Sequence, residues 1–279
     1  MQPVAPILVA DLLSPLHAEL MTLLRSLTPA EWEKPTVAAP WTVRDMVAHL
    51  LDTDIRRLYY GRDDLPRDAS EPPPATYEEL VALLNRLNAE WVKAARRISS
   101  PLLMAFLEIV APQTHSFLQS LDPYAPAGIS VAWAGEAESA NWFDVAREYS
   151  EKWHHQQHIR EAVGAPLLNE RRWLEPILDT FLRGLPHTYR DVTAPIGTTL
   201  LVEITGEAGD RWTLLRDEGQ WSLHRGAPDT TTAHLQIAQD LAWRLFTKGI
   251  SKEEVHPHVQ IFGDEALALH LLNLLSIMA

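Results

Sequence analysis

The chain has 279 residues, no cysteine, 46% hydrophobic and 22% charged residues, and a formal net charge of −13. That length exceeds one ordinary core and predicts two domains of globular composition, while the negative charge repels phosphate backbones and argues against a nucleic-acid partner. Without cysteine there is no disulfide, no zinc-thiolate centre and no thiol nucleophile within the chain, so any metal has to be held by histidine and carboxylate. No apolar run reaches the eighteen or so residues of a membrane span, and the N-terminus lacks a basic region followed by an apolar signal core. A cytoplasmic protein with no membrane partner is expected.

Leu12, Leu13, Leu16, Leu20, Leu23 and Leu24 recur at helical spacing and predict a first helix over Ala10 to Leu27. In TPAEWEKPTVAAP, Thr28 to Pro40, the prolines bracket one short turn of helix and force an extended approach to the second long helix. Thr42 opens that helix, running to Gly61, with a capping box to Asp45. Val43, Met46, Val47, Leu50 and Leu51 form its buried face, with His49 on or beside it. A lone histidine on such a face is more often a satisfied core residue than a ligand, and the histidine-rich helix downstream is what makes His49 a candidate. Gly61 to Ala75 reads as a charged, proline-rich loop. Thr76 caps a third helix, with Glu79 three residues on. Ser99 to Leu121 continues helically, with Pro112 as the place where it could break. Asp122 to Ala140 has no helical period and reads equally as a lid or pocket wall and as a crossover between antiparallel helices.

Asn141 to Gly164, NWFDVAREYSEKWHHQQHIREAVG, predicts one long helix, closed by Gly164 at a C-cap position with Pro166 shortly beyond. At 100° per residue, Glu151, His154, His155 and His158 fall within an arc of roughly 100°. Glu151 and His155 are four apart, as are His154 and His158, so either pair sits one turn apart and could close on a single ion. The plainer alternative is a solvated histidine face, although Trp142, Phe143, Val145, Tyr149, Trp153 and Ile159 leave little of this helix purely polar. Trp173 to Tyr189 predicts one further helix, and Pro195 to Gly197 a linker. The period then changes from 3.6 to 2. Thr199 to Ile204, Trp212 to Arg216 and Trp221 to His224 alternate as strands, Thr232 to Ile237 adds a fourth, and Gln239 to Thr247 and Glu265 to Met278 read as helices. The shift places a boundary near residue 193, between a helical bundle and a small α+β domain.

Taken together and in this order, TPAEWEKPT, WTVRDMVAHL and EKWHHQQHIREAVG resemble the metal-binding domain of the mycothiol-dependent maleylpyruvate isomerases, within the wider DinB-like four-helix superfamily. The C-terminal segment, through its element order and phrases such as DLAWRLFTKG, resembles the sterol-carrier-like domain that such proteins append. The resemblance implies a mainly α protein: a DinB-like four-helix bundle over residues 1–192 and a small α+β, sterol-carrier-like domain over residues 193–279. It also implies a metal site. The histidine of the AHL motif is His49, and the Glu-x-x-x-His pair is Glu151 with His155, whereas other DinB-like members use His-x-x-x-His, here His154 with His158. The position three after the ligand histidine, usually acidic in the isomerase pattern, is His158. The expected ligands are His49, Glu151 and His155, with His158 available as a fourth.

Two histidines and a carboxylate with an open position form the pattern of a catalytic ion rather than a structural one. Zinc is the expected metal, and nickel, iron and manganese are compatible with the same donors. The family's chemistry is thiol transfer or thiol-assisted isomerisation, in which a small-molecule thiol supplies the nucleophile, and this suits a chain without cysteine. The resemblance therefore implies a divalent-metal-dependent enzyme that uses a low-molecular-weight, mycothiol-like thiol on a small, acidic organic substrate. The alternative is a non-catalytic metal- or ligand-binding protein on the same scaffold, stress-related or carrying an apolar ligand.

Overall fold

The computed structural model describes residues 1–66 and 74–277; residues 67–73 of the expected proline-rich loop, residue 278 at the end of the expected last helix, and residue 279 lie outside it. Helix makes up 54% of the described residues, which also form one mixed sheet; this is the mainly α class with an α+β part that the period change predicts. Packing divides the described residues into two compact units, one drawn from residues 8–128 and 148–168, the other from residues 1–7, 129–147 and 169–277.

The first unit is the helical bundle. It holds α1 (Leu13–Ser26), the single turn α2 (Pro29–Trp32), α3 (Val43–Arg57), α4 (Tyr77–Ala95), α5 (Ser100–Ser120) and the larger part of α6 (Asn141–Val163). Thr42 Oγ1 accepts from Asp45 N while the Asp45 carboxylate accepts from Thr42 N, so the expected capping box fixes where α3 begins. Thr76 caps α4 as expected, but Glu79 reaches back to Ala75 N. The apolar stripe of α3 packs between α4 and α5, and Leu20, Met21, Leu24, Val43, Met46, Val47, Leu50, Leu51, Leu103, Leu107 and Ile159 form one continuous core. Two expectations need correction here. The second helix does not run regularly to Gly61, since Leu58–Arg62 is a π turn. Nor does Pro112 break α5: it lies within the helix on its exposed face, where a carbonyl that loses its helical partner is open to solvent.

The second unit is a six-stranded sheet in the order β1-β4-β3-β2-β5-β6, with helices. Its strands are β1 (Gln2–Pro3), β2 (Thr199–Thr205), β3 (Arg211–Arg216), β4 (Trp221–Arg225), β5 (Ala233–Ala238) and β6 (Gln260–Gly263). β2 pairs parallel with β5 and the other pairs are antiparallel. Four of these strands are the predicted ones, but burial alternates only along β4 and β5, whereas β2 buries Thr199 to Val202 and β3 buries Trp212 to Leu214 without a break; β1 and β6 are too short for a period of two to show. The predicted helix Trp173 to Tyr189 divides into α7 (Arg171–Leu182) and α8 (Leu185–Thr188) at Gly184 and Pro186. After α9 (Gln239–Phe246) and α10 (Lys252–Val255), the last predicted helix shortens to α11 (Glu265–Leu269), followed by a 3-10 turn over His270–Asn273. Trp212 Nε1 donates to Asp179 Oδ1 at 2.8 Å and ties β3 to α7. Among the described residues no helix is long and apolar enough to cross a membrane.

The bundle interior also contains charge. Lys152 Nζ of α6 lies 2.7 Å from Asp54 Oδ1 of α3 and 3.6 Å from Glu148 Oε1, whose other oxygen is 3.1 Å from Arg57 Nη2. All four side chains are 10% exposed or less. Burial opposes the charge on both Asp54 and Lys152; it raises the Asp54 pKa, while the carboxylates of Asp54 and Glu148 outweigh burial at Lys152 and raise its pKa as well. A cavity of about 20 Å³, room for a single water, is bounded by His17, Asp54, His115, Lys152 and Gln156 among others. His17 and His115 meet edge to face beside it, with ring centroids 5.5 Å apart.

Because a buried charge left alone is costly, Asp54→Leu should destabilise the bundle by about 3–5 kcal/mol in chemical denaturation, and adding Lys152→Met should restore most of that loss. A double variant as unstable as the single one would contradict the coupling. The histidine pair sets a pH dependence. Burial, then the Lys152 ammonium, lowers His17 to about 4 and His115 to about 3. Both titrate near 6.5 in the unfolded chain, so the unfolded state takes up protons first as the pH falls. Their stabilising effect is complete above pH ~6.5 and is lost progressively toward the folded values, so the denaturation midpoint should fall more steeply between pH ~6.5 and ~4 in the wild type than in His17→Gln/His115→Gln. Equal slopes would contradict this assignment.

Candidate metal centre

The histidine stripe of α6 is held in place along its length. Gln156 Nε2 donates to Leu16 O at 3.1 Å, Trp153 Nε1 to Leu168 O at 2.9 Å, and Leu168 N to Gln157 Oε1 at 3.2 Å. The helix closes where Gly164 turns left-handed at φ +72°, with Ala165 N bonded to Arg160 O at 2.9 Å and Gly164 N to Glu161 O at 3.2 Å. This paired closure satisfies the last carbonyls and needs a residue without Cβ at position 164.

The expected site residues come together. His49, in the second turn of α3, is 5% exposed, and its ring meets the His155 ring edge-on with centroids 4.7 Å apart. His155 Nε2 lies 3.2 Å from Glu151 Oε2 one turn earlier. His158 is 5.6 Å from His155 between ring centroids, and His154 and His158 are 4.1 Å apart. His154 and His158 are 4% and 7% exposed, so the stripe is not a solvated histidine face. Both candidate pairs, Glu151 with His155 and His154 with His158, lie in this one cluster.

Among the described residues, no three histidine and carboxylate groups are arranged, as they stand, to enclose an ion. The donors nevertheless suit one. The Nδ1 atoms of His49 and His155 are both buried and neither has a hydrogen-bond partner among the described residues. A buried nitrogen that bonds to nothing is costly, and a bound cation is one way to satisfy two such atoms that approach from different helices. Burial first, then the neighbouring His155 and Arg56, pushes the pKa of His49 well below its ordinary value, so it stands as the neutral imidazole that ligates metals. Glu151 adds the carboxylate, at present engaged with His155. His49, Glu151 and His155, with His158 beside them, fit a divalent ion in donor chemistry.

Two features at this site escape the sequence patterns. One is the buried Asp54, Glu148, Lys152 and Arg57 network, although Asp54 and Arg57 do continue the buried spacing of Leu50 and Leu51 along α3. The other is Trp41, whose indole lies 5.0 Å from the His49 ring between centroids at an interplanar angle of 46°.

Residues 13–160 match the sequence profile of the mycothiol maleylpyruvate isomerase N-terminal domain. An uncharacterized protein of Mycobacterium tuberculosis, found in two strains, is 27% identical over 200 residues, which cover 70% of this chain and 71% of the relative. Crystal structures of the mycothiol-dependent maleylpyruvate isomerase and of a histidine-to-alanine mutant of it superpose with a TM-score of 0.51 at 13% and 12% identity, covering 85% of this chain and 86% of theirs. At that identity the likeness concerns the fold. A UbiJ-SCP2 ubiquinone synthesis protein aligns with 37% of this chain at a TM-score of 0.25, below the level at which folds are shared. With the profile spanning more than half of its length, the chain belongs to the mycothiol maleylpyruvate isomerase N-terminal domain family.

Proposed function

We propose that this protein is a divalent-metal-dependent enzyme that uses a low-molecular-weight thiol of the mycothiol kind to isomerise, or transfer the thiol to, a small, acidic organic substrate. His49, Glu151 and His155 would hold the ion, zinc being the best match for two imidazoles and a carboxylate, and His158 is placed to serve as a fourth ligand. The observation that carries this reading is the pair of buried, unsatisfied imidazole nitrogens, His49 Nδ1 and His155 Nδ1, on rings 4.7 Å apart in a family named for a mycothiol-dependent reaction. When bound, the ion supplies a thiolate at neutral pH by lowering the pKa of the thiol it contacts. The chain's own residues do the remaining work. α3 and α6 bring the donors together, Glu151 would turn from His155 to the ion, and the apolar core that includes Met46, Leu50 and Ile159 would limit water beside His49. The division into a helical bundle over residues 1–192 and a small α+β domain over residues 193–279 remains part of this proposal.

The close approach of His154 and His158 favours a second reading in which that pair, with His49, forms the site. The two readings separate by mutation. Protein purified without an affinity tag should bind close to one divalent ion per chain. His155→Ala should lower the affinity by orders of magnitude, and His154→Ala should leave it nearly intact. The reverse order would give the site to the His154 and His158 pair, and no binding even with added zinc or nickel would contradict both. With the ion bound, turnover of maleylpyruvate or a related small acid should require added mycothiol. Metal binding without thiol-dependent turnover on any such acid would instead support a non-catalytic metal-binding protein.

A further inference from the structure

The imidazole of His49 is held in an unusual way for a metal ligand. Ligating histidines almost always donate their second ring nitrogen to a carboxylate or carbonyl, which fixes the rotation of the ring. No hydrogen bond from the described residues reaches either nitrogen of His49, and its buried Nδ1 is unsatisfied. Two rings restrict it instead: His155 edge-on at 4.7 Å and Trp41 tilted at 5.0 Å. Trp41 is itself pinned. Thr36 donates to Trp41 O through both N (2.9 Å) and Oγ1 (2.8 Å), Trp41 N donates to Ala38 O (3.0 Å), and Pro35 pairs with Thr42 in an isolated bridge. The segment Pro35 to Trp41 therefore has little freedom, and because Trp41 immediately precedes the N-cap Thr42, its position is tied to the start of the helix that carries His49. The indole also packs on the bundle core.

We propose that Trp41 is the positioning residue of the candidate metal centre, setting the orientation of the His49 imidazole by ring packing where other metal sites use a hydrogen bond. This rests on the metal reading given above. The contacts with the Trp41 indole and the His155 ring leave His49 few rotamers, so its donor nitrogen is presented without the cost of ordering a free ring on binding. The contact also helps to bury this polar group, 5% exposed, in the second turn of α3.

The test uses the full chain and its Trp41→Phe, Trp41→Leu and Trp41→Ala variants. Zinc affinity is measured by chelator competition, and the visible spectrum of the cobalt-loaded protein reports the ligand field. Trp41→Phe, which keeps an aromatic face, should bind zinc within about threefold of the wild type with an unchanged cobalt spectrum, whereas Trp41→Ala should bind about 10–100-fold more weakly, the range seen when an outer-shell partner of a ligand is lost. Trp41→Leu keeps volume without a ring face and should resemble Trp41→Ala in the cobalt spectrum, which separates orientation from simple loss of packing. Wild-type affinity and spectrum in Trp41→Ala, or in Trp41→Leu should Trp41→Ala fail to fold, would overturn the proposal. A second measurement isolates it from the metal reading: in metal-free protein, the His49 ring protons should carry an upfield ring-current shift that disappears in Trp41→Leu. If the wild type binds no metal, the metal reading fails and this shift alone decides the role of Trp41; resonances that do not move would overturn it.

Discussion

Inside the bundle, Lys152 of α6 is salt-bridged to Asp54 of α3 where water has little access, and this contact sets how α6 lies against α3. Neither charge could stay buried alone, since the cost of taking an ion out of water is several kcal/mol and is offset only when the partner's geometry is good. Glu148 and Arg57 extend the pair into a group of two acids and two bases, so the interior is close to neutral in sum. The pairing also fixes the register of α6 against α3, because a slip of one residue would rotate Lys152 away from Asp54 by about 100°.

With that register set, His155 meets His49 of α3, and Glu151, His154 and His158 lie beside His155. The result is a chain of ring contacts from Trp41 through His49 and His155 to His158 and His154. Such a cluster makes little sense as a packing device, since each imidazole carries two polar nitrogens that an apolar core would not require. Its cost in unsatisfied nitrogen at His49 and His155 is what a ligand recovers. Sites that store unsatisfied polar groups in this way are the ones a fold retains for binding and not for stability.

Much of this is legible in the chain because helices and strands of sufficient length declare their period. The start of α3 is written in Thr42 and Asp45, the end of α6 in Gly164, and the donor stripe in the spacing of Glu151, His155 and His158. The features that are not legible are either too short or too tertiary. β1 and β6, of two and four residues, offer no period to read. The break between α7 and α8 is hidden because the amphipathic pattern continues across Gly184 and Pro186. The charges of Asp54 and Lys152 look like ordinary surface residues until α3 and α6 are packed together, although their place on the buried stripes is the available signal. Trp41 cannot be singled out at all, because its contact with His49 depends on a folded loop and not on helical spacing.

The central claim is that His49 of α3 and the pair Glu151 and His155 of α6 are ligands of the same ion. Anomalous diffraction from zinc-loaded crystals, recorded on both sides of the zinc edge, tests it most directly. The predicted result is a single strong peak at about 2.0–2.1 Å from one nitrogen of each of His49 and His155 and about 2.0–2.2 Å from a Glu151 oxygen. A peak bonded to His154 and His158 without His155, or zinc found only at surface histidines such as His256 and His258, would contradict it.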